Sequence, residues 1–478
     1  MGPFQVLSLL TGLSLVMRFF SFFPSVMDHD ESTYIVIADA VRQGHVYLRD
    51  VIDTKPIGIF LLFGAFQSVL GKSIIAIRVM TAIWVAFTGW MLYLTHRELL
   101  KGSSNQPSEA GPRATGIIYV YTLSVFTNFG VSPNTELFFA LFSATALFLV
   151  LRYTSPVLFM IAGFLLGLGF MIKYVVLFDA LAIGFFYLWM QVVQEKKWGY
   201  WFLRCTLMAI AFLIPILCVW MYYRQQGMEE QFLFYTFEVS HQYFVKPPWT
   251  SYLLFFLEGV GRIFPVTILF IYCSIHWRMT GIRLPLLAWG WTALVIFIIM
   301  LPGKAFPHYF IQLMLPFSLL AGSFFDPRRT PGPAFAWIRN PKIGYPLLGL
   351  GLLVNVAFQK TDYIDKEDYP KEIATYLNER LAPDDLIYTA NAPQIIYHLT
   401  SRNSPTPYVH PSLIWSDDNS RALGIDQQEE WQKILQQDPR FIIIKDNLSP
   451  SNLMKPDLDT LYQKVMTFGP KLVVFERK

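Results

Sequence analysis

The sequence predicts a polytopic α-helical membrane protein of about eleven spans with a small α/β domain at its C-terminal end. Three observations carry this. Of 478 residues, 54% are hydrophobic and 15% charged, where an ordinary soluble domain carries about 25% charged residues. The apolar residues fall in runs close to the roughly 20 residues that a bilayer span requires. Residues 361–478, in contrast, hold 18 of the 34 acidic residues beside 13 Lys and Arg, so polarity concentrates where the apolar runs end.

Spans are expected near 4–24, 74–95, 114–131, 134–151, 156–172, 175–194, 201–223, 252–275, 284–301, 307–324 and 343–358. The first run, "FQVLSLLTGLSLVMRFFSFF", lacks a basic n-region and a small-x-small cleavage site, and reads as a retained helix. The stretch 56–70, "PIGIFLLFGAFQSVL", is apolar but short. It reads as an interfacial or re-entrant helix, with a twelfth span as the alternative.

Loop charge decides between these. If 56–70 does not cross, alternate loops share a basic excess: Arg97, Lys101 and Arg113; Arg152; Lys196, Lys197 and Arg204; Arg278 and Arg283; Arg328, Arg329, Arg339 and Lys342. The opposite short loops carry Lys173, Arg224, Lys246 and Lys304. Loops rich in Lys and Arg stay cytoplasmic. The expected topology therefore has a cytoplasmic N-terminus in the cytoplasmic membrane, a long outer loop at about 25–73, and an outer C-terminal tail. It divides the chain into a membrane domain, 1–360, and an extracytoplasmic domain, 361–478. In the latter, "DDLIYTA", "DPRFIIIKD" and "PKLVVFER" read as buried strands. "DYPKEIATYLNERL" and "QQEEWQKILQQ" read as helices. This alternation favours a parallel sheet but leaves the topology open.

Other function classes find little support. Cys205, Cys218 and Cys273 lie in or beside apolar runs without a C-x-x-C, and read as free thiols packed among helices. No nucleic-acid-binding stripe appears. "LGKS" at 70–73 resembles the end of a P-loop, but six residues separate the preceding Gly64 from Gly71 instead of four. The glycines of "GFLLGLG" (163–169) read as helix-packing positions. Asn447-Leu448-Ser449 matches a glycosylation sequon, which is weak evidence alone.

The outer loops and outer helix ends collect the polar groups that the spans avoid. "MDHDESTY" (27–34) gives Asp30, Glu31 and Tyr34, and "DTKP" gives Asp53 and Lys55. "SPNTELFF" gives Asn134 and Glu136, and "MIKYVV" gives Lys173. "FEVSHQYFVKPPW" gives Glu238 and His241, and "PGKAFPHYF" gives Lys304 and His308. A charge at membrane depth costs about 2.5–3.5 kcal/mol on insertion scales and usually marks a cavity or pathway. For Arg18, Arg78 and Lys246 the expectation is instead that the side chain snorkels to the interface. A carboxylate cluster beside His can bind a divalent metal or supply a general base. Acids at the start of "DESTYIVIADAVRQG" also suit a helix N-terminus, and on spacing alone this capping reading holds the larger share.

The ordered set of these motifs resembles the GT-C glycosyltransferases, in particular bacterial lipid-linked sugar transferases of the aminoarabinose transferase and protein O-mannosyltransferase kind. The matching residues are Asp30-Glu31, Tyr34, Lys55-Pro56, "SPNTELFFALF" (132–142), "GFLLGLGFMIKY" (163–174) and "HYFIQLMLPFSLLAG" (308–322). The resemblance covers about 1–325. It implies transfer of a sugar from a polyprenyl-phosphate donor to a lipid, glycan or protein acceptor at the outer face of the bilayer. By position it implies Asp30 and Glu31 as catalytic acids, and Lys55, with Lys173 and Lys304, as cations for the donor phosphate. Tyr34, Asn134, Glu136 and His308 would line the cavity. An acidic residue directly precedes the Lys-Pro in the aminoarabinose branch and helps to hold a metal. Here Thr54 stands there, with Asp53 one position earlier, so a divalent metal at Asp53, Glu238 and His241 stays an open expectation. A transporter or flippase for a lipid-linked or anionic substrate is the alternative function, although no half-to-half repeat is evident. A scaffold that presents 361–478 as a binding module is a third.

Overall fold

The computed structural model describes residues 1–101, 108–125, 128–239, 246–279, 281–304, 306–327, 336–445 and 449–478. The chain forms two compact units. One comprises Met1–Phe22, Arg78–Gln225 and Phe244–Asp362; the other comprises Phe23–Ile77, Gln226–Tyr243 and Tyr363–Lys478.

Helices occupy the places where spans are expected. They are Pro3–Met17, Ile74–Leu100, Ala110–Val125, Thr135–Arg152, Pro156–Phe170, Val176–Gln194, Trp198–Gln225, Trp249–Arg262 with Phe264–Ile275, Arg283–Met300, Pro307–Phe325 and Pro341–Gln359. A chain in lipid must satisfy its backbone internally, which long apolar runs achieve as helices. Among the described residues, six helices are long and apolar enough to cross a membrane, or seven if the pair bent by 96° at Ile263 is one span. Pro3–Met17 and Pro156–Phe170 are apolar but have 15 residues each, about 22 Å at the helical rise.

Packing within this unit explains two sequence features. The glycines of the Pro156–Phe170 helix lie against the Trp198–Gln225 helix. A Cβ at Gly163 or Gly167 would collide with the backbone of Met208 or Phe212, so small residues are required for this close approach. Arg18 and Arg78 do not snorkel as expected. Both are about 98–99% buried. Arg18 donates to the carbonyls of Gly130 (2.6 Å) and Val131 (3.2 Å), and Arg78 donates to the carbonyl of Ser21 (2.9 Å). Backbone carbonyls left over at chain turns need donors, and a guanidinium supplies several from one side chain.

The other unit contains a four-stranded mixed sheet. Its strands are β1 (Ile387–Ala390), β2 (Phe441–Lys445), β3 (Tyr462–Phe468) and β4 (Leu472–Arg477), in the order β1-β2-β4-β3. β1 and β2 are parallel, while β4 runs antiparallel to β2 and β3. Three of these strands are those read from the sequence, as are the helices Tyr369–Asn378 and Gln427–Gln436. β3 was not expected. Its "YQKVMTF" is mostly exposed, so it lacks the apolar run that marks the buried strands. It forms the final antiparallel hairpin with β4, and the antiparallel pairing of β4 with β2 makes the sheet mixed. Trp431, Tyr388, Ile442, Ile444 and Trp415 fill the core on this sheet.

The same unit holds the segment read as the first outer loop. The helix His29–Arg42 packs on Gly58–Leu70 and on Ile395–Thr400. Gly58–Leu70 has 13 residues, about 20 Å, too short to span about 30 Å of hydrocarbon. Backbone contacts stitch this loop to the C-terminal segment: Ile52 N–H donates to the Pro407 carbonyl at 2.7 Å beside an Ile52–Tyr408 bridge. Ser25 N–H donates to Asp368 Oδ2 at 2.8 Å. Sequence division groups 25–73 with 1–360, whereas the compact unit groups it with 363–478.

Candidate active site

The "MDHDESTY" stretch turns into a helix at His29. Asp28 is the N-cap: its Oδ1 accepts the Glu31 N–H at 2.7 Å, and Glu31 reaches back to accept the Met27 N–H at 3.2 Å. The first bond satisfies a donor that the first helical turn leaves over, and the second ties the preceding residue to the helix start. Asp28 and Glu31 thus do the capping work, and Glu31 is 1% exposed. Tyr34 is fully buried, edge-on to Phe60 and Phe63 at 5.9 and 5.5 Å between centroids, and joins the two helices.

Asp30 is different. It sits in the first turn, where the helix dipole favours negative charge, and is not the cap. Its Oδ1 lies 3.0 Å from Lys55 Nζ, with 22% and 21% of the two side chains exposed. Lys55 Nζ also lies 3.6 Å from Asp53 Oδ1 and 5.2 Å from the Tyr34 ring centroid. Asp53, 2% exposed, shapes the turn that presents Lys55: its Oδ1 accepts the N–H groups of Thr54 (2.5 Å) and Lys55 (3.2 Å). Tyr47 closes the turn by donating toward the carbonyls of Asp53 and Lys55 at 2.8 and 2.5 Å.

His410 completes this cluster and was not singled out in the sequence, where "YVHPSL" reads as a loop. Its Nε2 lies 4.0 Å from Asp30 Oδ1. Its Nδ1 accepts the Ser412 N–H at 3.2 Å, with the Ser412 hydroxyl at 2.8 Å. Burial pushes the His410 imidazole below its usual value; Lys55 and His29 act in the same direction, against the opposing fields of Asp30 and Asp53. Gln394 was also missed. It donates to the His29 carbonyl (2.7 Å) and to Thr33 Oγ1 (2.6 Å), and so fixes the start of the helix that carries Asp30.

A second set lies in the membrane unit. Lys173 Nζ pairs with Glu136 Oε1, and Thr135 donates to Glu136 Oε2 at 3.0 Å. Lys173 Nζ also lies 4.3 Å from the Tyr309 ring centroid, and His308 is edge-on to the same ring at 4.9 Å. Asn134, 1% exposed, precedes the Thr135–Arg152 helix as its N-cap residue without a side-chain cap bond. Separately, Lys304 lines a cavity of about 220 Å³ with Pro247, Ser251, Tyr252, Phe255 and Met300.

The metal expectation concerned Asp53, Glu238 and His241. Asp53 is paired with the Lys55 ammonium, Glu238 is exposed, and His241 lies outside the described residues, as does most of the 447–449 sequon. Among the described residues, no three His, Cys, Asp or Glu side chains gather as a metal ion would require.

Residues 54–218 match the family model described as dolichyl-phosphate-mannose-protein mannosyltransferase. Residues 367–478 match the C-terminal domain of a putative competence-induced protein, Ccs4. No curated protein matches the sequence. Among solved structures, ArnT from Cupriavidus metallidurans bound to undecaprenyl phosphate is similar at a TM-score of 0.68 and 13% identity, covering 98% of this chain and 97% of that one. Its apo state gives 0.69 at the same identity and coverage. The archaeal oligosaccharyltransferase AglB from Archaeoglobus fulgidus, in complex with an inhibitory peptide and a dolichol-phosphate, gives 0.53 at 10% identity over 93% of this chain and 69% of that one. The chain thus shares the fold of ArnT over nearly its whole length, and its residues 54–218 are similar to the mannosyltransferase family model.

Proposed function

We propose that this protein is a membrane glycosyltransferase that moves a sugar, hexose or pentose, from a polyprenyl-phosphate donor to a hydroxyl or phosphate acceptor at the outer face of the cytoplasmic membrane. The Asp30–Lys55 pair carries the reading. A partly exposed ammonium beside a carboxylate suits an anionic lipid: the donor phosphate competes for Lys55, and the carboxylate is then available to the acceptor. The bound lipid phosphates named for ArnT and AglB support a donor of this class.

In the proposed reaction an acceptor oxygen attacks the anomeric carbon while the bond from that carbon to the phosphate oxygen breaks, with inversion. Asp30 takes the acceptor proton as general base. The leaving polyprenyl phosphate gains negative charge, which Lys55 stabilises electrostatically. Lys173 is engaged with Glu136, so its part is to hold that carboxylate and the Tyr309 ring.

The test is release of undecaprenyl phosphate. Purified protein in nanodiscs is incubated with undecaprenyl-phosphate mannose or aminoarabinose and a cell-envelope extract. Release that depends on Asp30 supports the reading. Passage of intact donor across proteoliposomes, with no cleavage, overturns it in favour of transport.

A further inference from the structure

We propose that His410 is a positioning residue for the Asp30 carboxylate, locked as its Nε2–H tautomer by the Ser412 backbone and ready to hold Asp30 when the donor phosphate draws Lys55 away. The inference rests on the proposed function and adds a residue from the far end of the chain to it.

The tautomer follows from geometry. A backbone N–H can only donate, so Nδ1 must be the acceptor in the 3.2 Å contact with Ser412. The ring proton of the neutral imidazole is then on Nε2, the atom that faces Asp30 Oδ1 at 4.0 Å. A shift of about 1 Å would bring that distance into hydrogen-bond range. The charged and titratable groups around the ring are Asp30, Asp53, Lys55 and His29, the last at 6.1 Å between ring centroids.

The segment that carries His410 is firmly placed. Ile52 N–H donates to the Pro407 carbonyl, which ties 407–410 to the strand-like stretch that leads into Asp53 and Lys55. Thr406 donates to the buried Glu430 at 2.5 Å. Lys55 and His410, which both face Asp30 Oδ1, are therefore presented by chain segments that are bonded to each other.

The chemistry explains why a neutral donor suits this place. Asp30 must accept a proton, and two cations beside it would depress its basicity. With Lys55 turned to the phosphate, a neutral Nε2–H orients the carboxylate without adding a full charge. His410 thus acts through Asp30 and does not touch the reacting atoms.

The experiment has two arms on the full-length protein in lipid bilayers. In the first, ¹⁵N-histidine solid-state NMR at pH 7, assigned by difference with His410→Gln, is expected to show His410 as the neutral Nε2–H tautomer. An Nδ1–H tautomer or an imidazolium overturns the proposal. In the second, His410→Ala is expected to lower kcat for undecaprenyl phosphate release by about 100-fold, the scale of a misplaced catalytic group. KM for the lipid donor should stay within about twofold. His410→Gln, whose amide donates from a similar place, should recover to within about tenfold of the parent. Parental kcat in His410→Ala, or a loss confined to KM, overturns the inference. If His410→Ala does not fold, a loss in His410→Gln as deep as in Asp30→Asn overturns it instead. A parent protein that releases no polyprenyl phosphate refutes the proposed function, while the NMR arm still decides the geometry.

Discussion

Lys55 Nζ stands 3.0 Å from Asp30 Oδ1 across a gap of 25 residues, with about a fifth of each side chain open to solvent. Two structural devices create this pair. The N-cap of Asp28 starts a helix that holds Asp30 in its first turn, and Asp53 folds the turn that presents Lys55. Neither member is the N-cap of its own element.

Removing either member separates binding from catalysis. Lys55→Ala should lower undecaprenyl phosphate release by at least about 100-fold, the scale of a lost electrostatic stabiliser. Asp30→Asn should lower kcat by about 100-fold or more while leaving donor KM little changed. Full activity in either variant, with normal membrane insertion, would refute the assignment.

Glu136 and Lys173 should behave as a coupled buried pair. Glu136 is 2% and Lys173 18% exposed. Glu136→Gln leaves an ammonium without its carboxylate and should cost about 3–5 kcal/mol. Lys173→Met alone strands the carboxylate with a similar cost. The double substitution Glu136→Gln with Lys173→Met should be less harmful than the sum, which a double-mutant cycle of thermal unfolding in nanodiscs measures. Additive losses would mean that the two charges act independently.

His410 predicts an acid-sensitive unit. Its folded value is depressed below the ordinary 6.5, chiefly by burial. Above 6.5 neither state is protonated, and the stability from the neutral ring is fully present. As pH falls below 6.5, the unfolded chain takes up the proton first, so stability is lost down to the folded value. The thermal midpoint of the parent should therefore fall more between pH 7 and 5.5 than that of His410→Gln. Parallel curves for the two proteins would contradict the buried neutral ring.

The sequence carries the membrane architecture plainly, because a span must be long, apolar and internally bonded, and each requirement leaves a run of residues to read. Asp30, Lys55, Glu136 and Lys173 are also legible as charges where charges are costly. Their pairing is less so, since spacing places residues on elements but does not say which elements touch. His410 lies 380 positions after Asp30 in a Pro- and Ser-rich stretch, and no periodicity marks it. Tertiary contacts, among them the backbone bond between Ile52 and Pro407, bring it beside Asp30. The edge strand β3 was missed for a related reason: it is mostly exposed, lacks an unbroken apolar run and pairs along β4.

Asp39 offers the most direct test that the acidic helix depends on the C-terminal segment. It lies on the same helix as Asp30 and is 7% exposed. Its Oδ2 meets His398 Nδ1 at 2.6 Å and faces Lys72 Nζ at 3.5 Å. His398 belongs to the Ile395–Thr400 helix, where Gln394 supplies further bonds to His29 and Thr33. Asp39→Ala removes the shared acceptor and leaves a buried imidazole and an ammonium facing a void, which should cost about 3–5 kcal/mol. Asp39→Asn keeps an acceptor for His398 and should cost about 1–2 kcal/mol. Because the contact is local, the loss should appear first as faster amide exchange in 29–42 and 395–400, with the β1–β4 core still protected. A loosened helix would also misplace Asp30, so kcat for donor cleavage should fall with Asp39→Ala and partly recover with Asp39→Asn. Unchanged exchange in 29–42 after Asp39→Ala would show that the helix holds its position without this buried contact.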